Sequence, residues 1–224
     1  MKKRKLFLAL IALVSVLTLV ACSNGSGKNS SATQEKTVTI KTSTGNNKVP
    51  KNPKKIVVLD YGVADTIRAL GKEDSIVGLP IDRLPSYLSD FKNKKGITNV
   101  GNLKEVNLEK IAELESDLII LSNRTQDQME EFKKIAPTVY FETSSKDYWG
   151  SVKTNIQELA KVFGDKAEET AKTKLSEIDQ IVKKAQEANK DTQSTTLTVM
   201  LNEGNIRSEE RRVGKECRSR WSAY

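Results

Sequence analysis

Short apolar runs that alternate with segments of helical periodicity place the main constraint on this chain. "KKIVVLD" (residues 54–60) is a continuous apolar run of the kind found in a strand buried on both faces. "SIVGLP" (75–80), "DLIILS" (117–122) and "TVYFET" (138–143) read as further strands. Between them lie helical stretches. "VADTIRALG" places Ala64, Ile67, Ala69 and Leu70 near helical spacing, with Gly71 as its stop. "DRLPSYLSDF" reads as a short helix with Pro85 in its first turn, and a later helix is capped by Asn107. "TQDQMEEFKKIA" ends at Pro137, and the next helix sets Ile156, Leu159, Ala160 and Phe163 on one face. Upstream, "TVTIKT" alternates as a strand that Gly45-Asn46-Asn47 is expected to turn.

Alternating β and α units with buried strands predict an α/β fold with a mainly parallel sheet. Residues 38–164 form this first lobe. Residues 165–190 form one long helix, in which Ala167, Ala171, Leu175, Ile178, Ile181 and Val182 keep a 3.6-residue stripe. At 1.5 Å per residue it is about 35 Å long. Residues 191–206 then give a strand and turn, "TLTVMLNEGN", with no partner strand left in the sequence. This lone strand is expected to open a second lobe, and its segment near residues 197–201 to expose unpaired edges.

The two ends differ from the body. "MKKRK" precedes an apolar run over residues 6–20, followed at once by polar "SNGSGKNSSATQ". Charged start, apolar stretch and small residue before a cut make a secretory signal; the run is shorter than the roughly 20 residues of a spanning helix. Leu19-Val20-Ala21-Cys22 resembles the lipobox of bacterial lipoproteins, which implies cleavage before Cys22 and acylation there. Residues 1–22 are thus the signal and residues 23–37 a flexible tether. At the other end, residues 207–224 hold five arginines, Cys217 and no apolar period. They read either as a basic tail or, by resemblance, as a translated cloning or adapter segment, with the natural chain continuing past Ile206. The formal charge is +8, yet four of those charges lie in residues 1–22 and a net three in residues 207–224, so the body carries a net of one. Nucleic acid is therefore not an expected partner.

Histidine is absent and the body contains no cysteine after Cys22. That removes Ser-His and Cys-His nucleophile pairs and imidazole-rich zinc sites from consideration. No phosphate-binding glycine motif appears. In "SDLIILSNRTQ", Arg124 follows the end of a buried strand, where open α/β sheets place ligands. It either faces water or meets an anion. The turn Asp60-Tyr61-Gly62 holds a similar position, and the helix after it could offer backbone N–H groups to an anion. Tyr61 and Trp149 are further candidates, through aromatic packing or cation–π contact.

Taken in order, "VPKNPKKIVVLDYGVADTIRALG", "GLPIDRLPSYLSDF", "VGNLKEVNLEKIAELESDLIILSNRTQDQMEEFKKIAPTVYF" and "LNEGNI" resemble successive blocks of the siderophore-binding lipoproteins of iron ABC transporters, in their petrobactin-type, catecholate-binding branch. The resemblance covers about residues 48–206. It implies two α/β lobes joined by a long helix, with a ferric siderophore held between them by basic residues; Lys104 and Arg124 fall on first-lobe positions of that pattern. It also implies no cofactor, no metal ligands and no catalysis, with the siderophore as ligand and an ABC permease as partner. A monomer anchored by lipid on the outer face of the cell membrane completes that expectation. Second-lobe arginines of the pattern have no counterpart here, so the chain would be half a clamp. Binders of hydroxamate or citrate chelates, haem or cobalamin are alternatives in the same class. A surface hydrolase lacks a recognisable catalytic motif, and the continuous α/β pattern argues against an adhesive lipoprotein.

Overall fold

The computed structural model describes residues 37–191, 195–202 and 205–212. The signal segment with Cys22, the tether up to residue 36 and residues 213–224 lie outside the described residues.

The first described element is a hairpin of β1 (Thr37–Thr42) and β2 (Gly45–Pro50), paired antiparallel with Thr42 opposite Gly45. The reversal therefore falls at Ser43-Thr44, one step before the glycine and asparagines expected to make it. Gly45 takes a φ of +103° as the first residue of the returning strand, and Asn47 Nδ2 donates back to Thr42 Oγ1 at 2.9 Å.

The central sheet comprises β3 (Ile56–Val58), β4 (Ile76–Leu79), β5 (Thr98–Asn99), β6 (Leu118–Leu121) and β7 (Thr138–Tyr140). Its order is β5-β4-β3-β6-β7 and every pairing is parallel. Side chains of a strand alternate between faces, and the two apolar clusters divide accordingly. Ile56, Val58, Leu118, Ile120 and Val139 join one, whereas Val57, Leu59, Ile119, Leu121 and Tyr140 join the other. A sheet covered on both faces explains why its strands read as continuous apolar runs.

The first face is covered by α1 (Tyr61–Ala69) through Ala64 and Ile67, by α4 (Tyr148–Phe163) through Leu159, Ala160, Val162 and Phe163, and by the β1–β2 hairpin. The second face is covered by α2 (Leu108–Glu113) through Ile111 and by α3 (Met129–Lys133) through Phe132. The stretch after Pro85 is a 3₁₀ helix, Ser86–Asn93, with Pro85 as its cap rather than inside its first turn. Asn107 caps α2 as expected, accepting from Lys110 N.

α5 (Asp165–Asn189) follows α4 across Gly164 and is the long helix anticipated from the stripe. Only its first half is buried, through Ala167, Ala171 and Leu175. Beyond that, Ile178 is 40% and Ile181 66% exposed, so the outer half of the stripe covers nothing among the described residues. Trp149 Nε1 donates to Asp179 Oδ1 at 2.9 Å and Lys153 Nζ sits 5.5 Å from the Trp149 ring centre, which fastens α5 to the start of α4. The indole N–H, followed by Lys153, holds the Asp179 carboxyl below its usual range.

The strand expected to lack a partner has one. β8 (Thr195–Asn202) pairs antiparallel with β9 (Asn205–Arg212), Leu197 opposite Glu210 and Leu201 opposite Ile206. Alternation of extended-favouring residues in "TTLTVMLN" explains β8; β9 uses six residues of the arginine-rich segment that begins at Arg207.

Gly78, inside β4, has no room for a side chain. An added Cβ would lie 2.8 Å from Leu114 Cδ1 and 3.1 Å from Val57 Cγ2. Gly78→Ala is expected to lower stability by about 1–3 kcal/mol, the usual penalty for overfilling a close-packed core, with the denaturant slope unchanged in equilibrium urea unfolding.

Candidate functional site

Because the five strands run parallel, their carboxyl ends emerge at one edge, and five connections meet there. In sheet order they follow β5, β4, β3, β6 and β7. Lys104 belongs to the first, Arg83 to the second, Asp60 and Tyr61 to the third, and Arg124 to the fourth. Strands β5 and β6 are three spacings apart, about 14 Å at 4.7–4.9 Å each, a distance that two long cationic side chains can largely close.

Arg124 stands on a tightly fixed turn. Thr125 N donates to Ser122 O at 3.1 Å, Ser122 N donates to Thr125 Oγ1 at 3.2 Å, and Arg124 N donates to Ser122 Oγ at 3.3 Å. Ser122 and Thr125 are buried; Arg124 is exposed. Among the described residues its guanidinium has neither a hydrogen bond nor an ion pair. A rigid backbone thus presents five N–H donors to whatever arrives. The supporting hydroxyls were missed in the sequence, although their spacing, Ser-x-x-Thr after an apolar run, is that of a turn closed by side-chain hydroxyls.

Lys104 is carried differently. Asn102 Oδ1 accepts from both Lys104 N at 2.9 Å and Glu105 N at 3.1 Å, forming a tight loop. Gly101 precedes it with a φ of +102°, and a Cβ there would lie 2.5 Å from Glu105 O, so only glycine closes this loop. Asn99 then ties the loop to its neighbour: its Oδ1 accepts from Ile81 N and Gly101 N, and its Nδ2 donates to Asp82 Oδ1 at 2.7 Å. Asn99 was not singled out in the sequence; nothing in a lone asparagine at the end of a two-residue strand identifies a hub. Arg83, also missed, is exposed on the loop that Asn99 pins, without a side-chain partner among the described residues.

Tyr61 is held at both its hydroxyl and its ring. Its hydroxyl donates to Pro80 O at 3.0 Å, and burial, with Asp82 and Tyr87 nearby, pushes its pKa upward. The ring packs on the first-face core. Tyr61 therefore joins the connections after β3 and β4. At the start of α1, Asp60 Oδ1 accepts from Val63 N at 2.9 Å, so this N–H, one of those the helix could offer to an anion, is already taken. Trp149, spent on Asp179, lies against α5.

The profile of the Periplasmic binding protein family matches residues 56–210. The chain belongs to that family. It is 40% identical over 206 residues to the petrobactin-binding protein YclQ of Bacillus subtilis, covering 91% of this chain and 64% of YclQ. Among solved structures, the iron-uptake ABC transporter substrate-binding protein PiuA of Streptococcus pneumoniae superposes with a TM-score of 0.73 at 45% identity, over 77% of this chain and 60% of PiuA. The catecholate-siderophore binding protein VctP of Vibrio cholerae gives 0.69 at 30% identity, over 77% of this chain and 61% of VctP. The chain thus spans a little under two thirds of the length of these relatives. The α/β fold with a parallel sheet and long helices is the one these relatives share.

Asp60, at the same edge, is partly withdrawn from water. Burial raises its pKa, opposed by the Val63 and Gly62 N–H groups. A raised value favours the neutral form in the fold, so the stability Asp60 contributes is complete below the unfolded carboxyl pKa and is lost as pH rises through the folded one. Asp60→Asn keeps a good cap acceptor without the charge. It is expected to be more stable than the parent near pH 7 and to lose that margin near pH 3.5, measured by thermal unfolding across the pH range.

Proposed function

We propose that this protein is a lipid-anchored substrate-binding protein that captures an iron(III)–siderophore, of catecholate type, and passes it to an ABC permease without catalysing a reaction. Family membership and the relatives' printed roles support the coarse reading. The observation that carries the finer one is Arg124: an exposed guanidinium on a hydroxyl-locked turn, unpaired among the described residues, at the carboxyl edge of the sheet.

The chemistry suits that assignment. A ferric tris-catecholate is a rigid trianion whose iron is already saturated by ligand oxygens. Capture then requires cations and donors at fixed positions rather than metal ligands, which accords with a chain that has no histidine. Arg124 provides a planar fork and Lys104 a point charge, mounted about 14 Å apart on rigid connections. Neither has an ion pair among the described residues that must break for it to bind, so little of the gain is lost to rearrangement.

Each charge-assisted hydrogen bond to such a ligand contributes roughly 1.5–3 kcal/mol. Arg124→Ala is therefore expected to weaken binding of a ferric tris-catecholate by roughly 10- to 150-fold, and Lys104→Ala by a smaller factor, in fluorescence-quenching titrations. Ferrioxamine, with no comparable negative charge, should be insensitive to both substitutions. Equal losses for the two chelates, or none for either, would rule out the catecholate reading.

Anchoring rests on Leu19-Val20-Ala21-Cys22. The thioether and amino-terminal acyl chains would supply the two hydrophobic attachments that stable membrane association takes. Cys22→Ala is expected to abolish palmitate incorporation and release the protein from the membrane fraction; retention of label on that variant would refute the site.

A further inference from the structure

Beside the cationic edge lies a cleft of about 310 Å³ between the amino-terminal ends of α1 and α4 and the connection after β7. Its depth is apolar, formed by Val63, Phe141, Ile156 and Leu159, and the Asp60 carboxyl lines it from the end of β3. The volume stands at the lower end of small-molecule pockets, roughly 300–1,000 Å³, and offers space for about ten water-sized groups.

The polar inventory gives the cleft a sign. Asp60 Oδ1 accepts from Val63 N, and among the described residues no lysine or arginine contacts the carboxylate. Thr66 Oγ1 is committed to Gly62 O at 2.8 Å and Asn155 Nδ2 to Glu142 O at 2.8 Å. Asp60 is therefore the one charged residue among those lining the cleft, without a counter-cation among the described residues and beside an apolar floor. Tyr148, 65% exposed, also lines the cleft, and its ring face favours a cation over an anion. Lys104 and Arg124 do not line it.

The geometry points to a subsite for a small organic ammonium with an apolar or aromatic body, the ammonium paired with Asp60 and the body resting on Val63, Phe141, Ile156 and Leu159. This goes beyond the proposed chelate capture and does not depend on it. An ammonium within hydrogen-bonding reach would offset the burial that disfavours the ionised carboxyl. A carboxylate-bearing ligand would meet repulsion there, and a neutral one would leave the carboxylate unpaired. The capping role of Asp60 alone would give neither discrimination, because a cap only needs an acceptor.

Benzylammonium is a suitable probe, with benzyl alcohol and phenylacetate as the neutral and anionic comparisons. In amide NMR titrations of the full chain, benzylammonium is expected to shift Val63, Thr66, Thr143 and Asn155 in a saturable manner. Benzyl alcohol and phenylacetate should bind at least tenfold more weakly. Asp60→Asn, which keeps the cap, should lose at least tenfold; Thr143→Trp, on an exposed connection, should block the cleft sterically. Arg124→Ala should leave the ammonium titration unchanged even where it weakens chelate binding, so the two sites fail independently. Equal binding of benzyl alcohol, unchanged affinity in Asp60→Asn, shifts confined to other regions, or no saturable shifts would each overturn the assignment.

Discussion

At the centre of the sheet, Ile56, Val57 and Val58 stand opposite Leu118, Ile119 and Ile120 in parallel register. One further rung, Leu59 N to Ile120 O at 2.8 Å, carries the ladder toward the carboxyl edge. At the opposite end, Asp117 Oδ2 accepts from Lys54 N and Lys55 N at 2.7 and 2.9 Å, and Asp117 N donates to Lys55 O. This ladder joins segments some sixty residues apart in the chain, and all else is arranged around it. Parallel strands require each return to cross a face of the sheet. The returns supply α1, the 3₁₀ segment and α2 on the way to β6, and they deliver every carboxyl end to one edge.

That edge separates two kinds of charge. Arg124, Lys104 and Arg83 are held by backbones fixed through Ser122, Thr125, Asn102 and Asn99, while their own charged ends remain uncommitted among the described residues. Asp60 is treated in the opposite way: its carboxyl is committed to the backbone of α1 and partly withdrawn from solvent. Fixed turns with free cations are economical for meeting a bulky anion, since the ordering entropy of the loops has been met during folding.

How far the primary structure foretold this depended on the length scale of each feature. The parallel sheet was legible because burial on both faces leaves uninterrupted apolar runs, and the long helix because six apolar residues keep one stripe from Ala167 to Val182 within its 25 residues. Asn107 was legible because a cap acts within three residues. The hairpin turn falls at Ser43-Thr44, just before the residues expected to make it: Gly45 attracts a turn assignment, yet its positive φ serves the first residue of β2, and the reversal is closed by Thr42 and Asn47. Asn99 and the partnership of β8 with β9 stayed hidden because each depends on contacts whose pattern a single sequence does not mark. Tyr61 was named for its ring, but the bond its hydroxyl makes to a carbonyl nineteen residues away at Pro80 was not legible in the sequence.

The long helix has a mechanical consequence. Its first half is embedded through Ala167, Ala171 and Leu175, and its last fastening to α4 is Asp179 with Trp149 and Lys153. From Ile181 to Asp191 every residue is exposed, which leaves about 15 Å of helix standing clear of the described residues at 1.5 Å per residue. α5 is thus a cantilever with its fulcrum at Trp149. A lateral load on the outer end becomes a torque borne by the first turn of α4, next to the connection after β7.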